Sequence, residues 1–210
     1  MTGPCGNKIA GAVLAGGLSR RMGGIDKALA PLDGKPMIAH VFDRLAAQVD
    51  PVAVNANGNA ARFDELGADV FPDIVSGFAG PLAGIHAAMV WARDSAGATH
   101  VVTAAADTPF FPADLVVRLA EAAAGPEKIA MARSRSGLHP VFALWPVQLA
   151  SDLQAWLSRT DTLKVTDWTQ RHQPVSCPFA PLDDGTDTFF NVNTPEDLAE
   201  AETILGRIAA

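Results

Sequence analysis

Apolar positions along this chain switch between two periods, and the switching predicts its architecture. Ile9 to Leu14 is a continuous run of strand length. Met37, Ile38, Val41, Phe42, Leu45 and Val49 then recur at helical spacing and form one apolar face. Strand-like runs follow at Val52 to Asn55, Asp69 to Phe71 (ended by Pro72), His100 to Ala105 and Ile129 to Ala132. Between them lie a weaker helix at Ala60 to Leu66, a helix from about Leu82 to Arg93, and one opened by Pro112 that reaches about Ala124. Such alternation predicts an α/β fold, with a mostly parallel sheet covered by helices on both faces.

From Gly137 the pattern becomes irregular. His139 to Trp145 reads as a strand, Val147 to Leu157 as a helix, and Val175 to Pro178 and Phe189 to Val192 as short strands. The last helix is well signalled: Thr194 suits an N-cap, Pro195 the first helical position, and Glu196 and Asp197 the positive end of the dipole. Leu198, Ala201, Leu205 and Ile208 give it an apolar face. No linker, repeat or low-complexity tract interrupts the chain beyond its abundant alanine, so residues 1–210 read as one domain.

Composition narrows the function. The chain is 49% hydrophobic, and sixteen basic against twenty-three acidic residues leave a net charge of −7. That balance argues against general nucleic-acid or membrane-surface binding. No apolar run approaches the roughly 20 residues that span a bilayer, and the N-terminal residues hold no apolar signal-peptide core. Cys5 and Cys177 stand apart without a ligand pattern, which favours a reducing compartment. A cytoplasmic location is therefore expected.

Against this acidic background, the stretch L-A-G-G-L-S-R-R-M-G-G-I-D-K-A-L from Leu14 to Leu29 is glycine-rich and cationic. It contains neither the G-x-x-x-x-G-K-[ST] spacing of a P-loop nor the G-x-G-x-x-G of a dinucleotide fingerprint. It is instead a long loop at the carboxyl end of the first strand, where open α/β sheets place ligands. Its glycines let backbone N–H groups approach phosphate oxygens, and Arg20, Arg21 and Lys27 supply countercharge. The alternative is a solvated surface loop with incidental charge.

Asp107 closes a predicted strand, so its carboxylate should stand at the sheet's carboxyl edge, suited to a magnesium ion shared with phosphates. It could instead cap the helix opened by Pro112. Asp73, after Pro72, equally fits a turn. Asn191 and Asn193 flank Val192 and would share one side of a strand. They could instead satisfy backbone near the final helix. His139, preceded by Arg133 and Arg135, is a candidate anion contact or a structural histidine. Trp91, Trp145, Trp156 and Trp168 read as core residues, and His40, His86, His100 and His172 share no zinc-ligand spacing.

The loop resembles those of small nucleotidyltransferases, and its version here is most similar to the molybdenum cofactor guanylyltransferase family. Further motifs follow in the family's order: N-A-N (Asn55 to Asn57), P-D (Pro72, Asp73), G-P-L-A-G-I (Gly80 to Ile85), D-T-P (Asp107 to Pro109), H-P (His139, Pro140) and F-N-V-N-T-P-E-D-L (Phe190 to Leu198). The resemblance implies a Rossmann-like three-layer sandwich of glycosyltransferase-A/nucleotidyltransferase type. About 1–135 would bind nucleotide and about 136–210 the pterin.

The implied reaction transfers GMP from GTP to molybdenum-molybdopterin and releases pyrophosphate. Leu14, Ala15, Gly16, Gly17, Lys27, Asn55, Asp73, Gly80, Pro81 and Asp107 would face GTP, with Lys27, Asp107 and Arg21 acting in transfer. Asp107 would bind Mg2+, and Asn191, Asn193 and His139 would face molybdopterin. Transient complexes with cofactor-synthesis proteins and apo-molybdoenzymes are further implied partners. Cytidylyltransferases acting on the same pterin usually read L-A-A-G where this chain reads L-A-G-G, and lack G-P-L-A-G. Enzymes that activate sugar or isoprenoid phosphates are more distant, and the N-V-N element counts against them. A non-catalytic nucleotide-binding module would need neither Lys27 nor Asp107.

Overall fold

The computed structural model describes residues 8–16, 26–75, 80–159 and 164–208. The first half comprises β1 (Ile9–Leu14), β2 (Pro31–Leu32), β3 (Lys35–Pro36), α1 (Met37–Ala46), β4 (Val52–Asn55), β5 (Val70–Phe71), α2 (Pro81–Asp94) and β6 (His100–Ala105). The second comprises α3 (Leu115–Ala123), β7 (Ala130–Ser134), β8 (Gly137–Pro146), α4 (Ala150–Leu157), α5 (Val165–Thr169), β9 (Val175–Pro178) and α6 (Pro195–Ile208).

Seven strands form one sheet in the order β5-β4-β1-β6-β8-β7-β9, and β8 alone runs against the others. β1 is buried along its whole length, and its side chains feed two cores by simple alternation. Ile9 and Val13 join Ile38, Val41 and Leu45 of α1 and Leu115 and Leu119 of α3 on one face. Ala10, Ala12 and Leu14 join Leu82, Ile85 and Met89 of α2, Leu153 of α4 and Trp168 of α5 on the other. The result is a three-layer α/β sandwich. Trp145 is fully buried in the second core, where its indole N–H donates to Thr103 Oγ1 at 2.8 Å.

The chain leaves β1 toward β4 on one side and returns to β6 on the other. Their carboxyl ends therefore part at a topological switch point, the place where such sheets bind ligands. Leu14 stands in register with Asn55 and with Ala105. The Ala15 N–H donates to the Asn55 carbonyl at 2.9 Å and the Ala106 N–H to the Leu14 carbonyl at 3.1 Å, which fixes all three strand ends together.

A third core of Leu32, Met37, Phe110, Val192, Ala201 and Ile204 packs α6 against the hairpin of β2 and β3. That hairpin turns through Asp33 and Gly34 at φ 47° and 74°, the backbone that an Asp-Gly pair favours in a two-residue loop. The apolar pattern does not signal it, nor does it signal α5.

Two expectations are corrected. Phe189 to Val192 is not a strand: Asp187 captures the Phe189 N–H with its side chain and the Phe190 N–H with its carbonyl, both at 2.9 Å. The local turn wins over pairing in the sheet, and the apolar residues of this run are buried by neighbouring core clusters. The helix expected from Pro112 begins only at Leu115. Ala60–Leu66 is a 3₁₀ helix, capped by the Asn59 side chain and ended by Gly67 at φ 60°.

Candidate active site

Lys27 stands just ahead of β2. The Asp26 carboxylate accepts the Ala28 N–H at 3.1 Å and caps a short 3₁₀ turn, Lys27–Leu29. From this turn Lys27 Nζ donates to Asp107 Oδ2 at 2.7 Å, to Asn193 Oδ1 at 2.7 Å and to Asn191 Oδ1 at 3.4 Å. Its side chain is only 14% exposed and that of Asp107 27%, so the pair is shielded yet reachable.

Asp107 does not cap a helix. Its carboxylate is shared between Lys27 and the Thr108 hydroxyl (3.2 Å), and α3 starts well beyond it, after Asp114. Its carbonyl accepts the Val192 N–H at 2.9 Å. Because Val192 is fully buried in the third core, the exposed residues on either side of it, Asn191 and Asn193, are held over Lys27. Asp197 secures the far side of this loop by accepting the N–H groups of Asn193 (2.7 Å) and Thr194 (2.8 Å). In return Thr194 Oγ1 accepts the Asp197 N–H at 3.1 Å, a reciprocal cap on α6. The Asn193 N–H above all holds the Asp197 carboxyl below its ordinary range, helped by Thr194 and by the nearby Lys27 charge.

Asn55 and Asp73 form a second polar cluster along the same edge. Asn55 is 1% exposed, and its amide donates to Asp73 Oδ1 at 3.0 Å and to the Phe71 carbonyl at 3.3 Å. The Asn57 amide donates to Asp73 Oδ2 at 2.8 Å, and its oxygen accepts the Asp73 N–H at 2.9 Å. Asn55 thus stands behind Asp73 and Asn57 beside it. Asn57 is a functional candidate that the N-A-N spacing could have supplied, since both asparagines point to one side. Gly80 and Pro81 begin α2 beside this cluster, with Pro81 at the first helical position. A Cβ on Gly84, in the same helix, would lie 2.5 Å from Asn55 Oδ1, so only glycine fits there. Gly16 is exposed, with Asn55 Oδ1 3.4 Å from where its Cβ would be. Gly17, Arg20 and Arg21 lie outside the described residues.

His139 belongs to a separate cluster. Ser134 Oγ donates to Asp187 Oδ2 at 2.6 Å and contacts His139 Nε2 at 2.7 Å. The hydroxyl carries one proton, so this arrangement assigns the Nε2–H tautomer to His139. Its ring stacks on Phe189 with centroids 4.3 Å apart. Burial lowers its pKa, Asp187 opposes the shift and Arg133 reinforces it. Ser134 and Asp187 carry no sequence motif; only the folded chain joins them to His139.

The oxygen atoms around Lys27 Nζ, one carboxylate and two amides, are a donor set of the kind hard divalent cations take. Among the described residues, no three His, Cys, Asp or Glu residues cluster as a metal site. Asp107 could hold a divalent cation together with other oxygen ligands.

A switch-point lysine paired with a carboxylate, beside a cluster of polar side chains on the same sheet edge, is an arrangement suited to the phosphates of a nucleotide, and the sequence relatives place the chain among the nucleotidyltransferases. The family model described as MobA-like NTP transferase domain matches residues 11–175. A molybdenum cofactor guanylyltransferase of Rhizobium leguminosarum bv. trifolii is 51% identical over 97% of this chain and 96% of its own length. Among solved structures, molybdopterin-guanine dinucleotide biosynthesis protein A from Archaeoglobus fulgidus superposes with a TM-score of 0.71 at 26% identity, over 94% of this chain and 99% of that one. A Mycobacterium tuberculosis protein solved in complex with manganese has the same fold, with a TM-score of 0.65 at 21% identity over 93% and 98% of the two chains. The chain belongs to the MobA-like NTP transferases and, within them, to the molybdenum cofactor guanylyltransferases.

Proposed function

We propose that this protein transfers GMP from GTP to the phosphate of molybdenum-molybdopterin, forming the guanine dinucleotide cofactor and pyrophosphate. The observation that carries the reading is the Lys27 ammonium, held by Asp107, Asn191 and Asn193 together. It rests also on the close relatives that carry the guanylyltransferase name.

In this reading Leu14, Ala15 and Gly16 offer backbone groups to GTP at the switch point. Asp73, steadied by Asn55 and Asn57, lines the same half with Gly80 and Pro81. Gly17 and Arg21 complete the proposed nucleotide loop. The pterin phosphate is already anionic near neutral pH, so attack on the α-phosphorus needs no general base. The difficulty is bringing two anions together. Lys27 offsets that charge and follows it as it passes to the leaving pyrophosphate. Asp107 would hold Mg2+, which when bound neutralises and orients the triphosphate. Asn191, Asn193 and His139 face the pterin. No helix among the described residues is long and apolar enough to cross a membrane, and the scattered thiols suit a reducing, cytoplasmic setting.

The test is pyrophosphate release with molybdenum-loaded molybdopterin, Mg2+ and either GTP or CTP. Turnover with GTP and formation of the guanine dinucleotide are expected. Faster turnover with CTP, or no product from either, overturns the proposal.

A further inference from the structure

Arg62 lies in the 3₁₀ helix Ala60–Leu66, outside every motif that points to the nucleotide, yet it touches both sides of that half of the site. Its Nη1 forms an ion pair with Asp26 Oδ2, while its Nη2 donates to the Asn57 carbonyl at 3.0 Å. The guanidinium rests 4.7 Å from the ring centroid of Phe63, a buried core residue. Each contact leads on to a site residue. Asp26 is the cap of the turn that presents Lys27, and Asn57 holds Asp73 through two hydrogen bonds.

We propose that Arg62 is a positioning residue that ties the Lys27–Leu29 turn to the loop after β4, and so sets the placement of Lys27 relative to Asp73. The proposal rests on the reading of Lys27 and Asp73 as nucleotide groups. Three physical points support it. The ion pair is part-buried and joins residues 36 positions apart in the sequence, so it fixes two segments relative to one another. The planar fork of an arginine meets a carboxylate and a carbonyl from two separate nitrogens in fixed relative geometry, which the single nitrogen of a lysine does not supply. Among the described residues Arg62 Nε is also buried without a hydrogen-bond partner. That unpaired donor is a cost, and the fork is held in place despite it.

The test compares Arg62→Ala, Arg62→Lys, Asp26→Asn, the Arg62→Ala/Asp26→Asn double variant and Lys27→Ala, with turnover normalised to folded protein and GTP affinity measured by calorimetry. Misplacing a reacting group by about 1 Å can cost about 10²-fold in rate. Arg62→Ala is therefore expected to lower kcat by about 10- to 100-fold and to weaken GTP binding. Arg62→Lys keeps a charge for Asp26 but loses the second arm. It should recover most of kcat while GTP binding stays weak. Asp26→Asn keeps the oxygen that caps Ala28, and its loss in kcat should not add to that of Arg62→Ala. A merely structural arginine would move the melting temperature and leave this kcat and affinity split absent.

Full additivity with Asp26→Asn, recovery of both parameters by Arg62→Lys, or normal turnover per folded Arg62→Ala molecule overturns the positioning role. Normal turnover in Lys27→Ala overturns the reading of the lysine itself, and the role of Arg62 with it. A collapse in Lys27→Ala beside an intact Arg62→Ala sinks the positioning role alone.

Discussion

The Asp107 carbonyl accepts the Val192 N–H at 2.9 Å, while the Asp107 side chain accepts from Lys27 at 2.7 Å. One residue thus fixes both the lysine and the loop that carries its other two partners. Asn193 meets Lys27 at 2.7 Å and Asn191 at 3.4 Å, so the two amides are not equivalent. Hydrogen bonds to a charged group contribute about 1.5–3 kcal/mol. Asn193→Ala should therefore slow transfer by about 10- to 100-fold and Asn191→Ala by less. Both should weaken use of the pterin more than binding of GTP. Steady-state kinetics with each substrate varied decide this; a defect confined to GTP binding would place the asparagines in the wrong half.

Lys27 carries the charge that must follow the phosphates. Removing one preorganised electrostatic contact slows chemistry by about 10²–10³-fold, and Lys27→Ala is expected to fall by that order with a smaller loss of GTP affinity. Lys27→Arg should not restore the rate, because a planar fork cannot replace a compact ammonium among three oxygens. Rates normalised to folded protein provide the check. Turnover within about threefold of the parent, far below the loss expected for such a contact, would mean that the loop binds GTP without assisting transfer.

Two glycine-to-alanine substitutions should act in opposite directions. At Gly84 the added methyl would sit 2.5 Å from Asn55 Oδ1, forcing the amide off Asp73. Overpacking of this kind costs about 1–3 kcal/mol, and GTP binding should weaken as well. At Gly206, in α6, no atom lies within 4 Å of an added Cβ. There alanine should stabilise by about 0.5–1 kcal/mol through helix propensity. Thermal melts of both variants, with GTP titration of the first, test the pair.

Stability should decline in mild acid, and histidines set the window. Burial is the leading cause that lowers His86, His100 and His139 below the ordinary value of 6.5. On acidification the unfolded chain therefore takes up protons near pH 6.5 that the folded protein refuses, and stability falls as the pH drops below that value. At higher pH both states are neutral and this loss vanishes. Among the described residues His86 Nδ1 is buried without a partner, so His86→Leu should flatten the acid slope. Asp184 acts in a separate window: its pKa of about 2, set first by Thr186, gives a contribution present above 3.8 and lost toward about 2. Melting temperatures from mildly alkaline to mildly acidic buffer test the histidine window, and a flat profile there would contradict it.

The strands were legible wherever an apolar run carried its own stop signals. Ile9–Leu14, Val52–Asn55, His100–Ala105 and Val175–Pro178 fold over the residues that the pattern predicts. Phe189 to Val192 misleads because its apolar residues are buried by side-chain clusters, which pattern alone cannot tell from sheet pairing. The hairpin at Asp33 and Gly34 was signalled only by that dipeptide. Lys27, Asp107, Asn191 and Asn193 stand out as motif residues, but nothing in their spacing reveals that the lysine's ammonium joins the other three. Arg62, Ser134 and Asp187 were invisible for a related reason: each acts through contacts between segments distant in sequence.

The third core gives the protein a means of adjustment remote from any ligand. Val192 shares that cluster with Leu32, Phe110 and Ile204, and its peptide group is tied to Asp107. Because close-packed cores register the loss of even one methyl group, the packing at Ile204 bears on where Val192, and with it the loop over the lysine, comes to rest, much as a shim under a bearing alters the gap it sets. Selection acting on α6 could thus retune the transfer rate while every group that meets a substrate stayed the same.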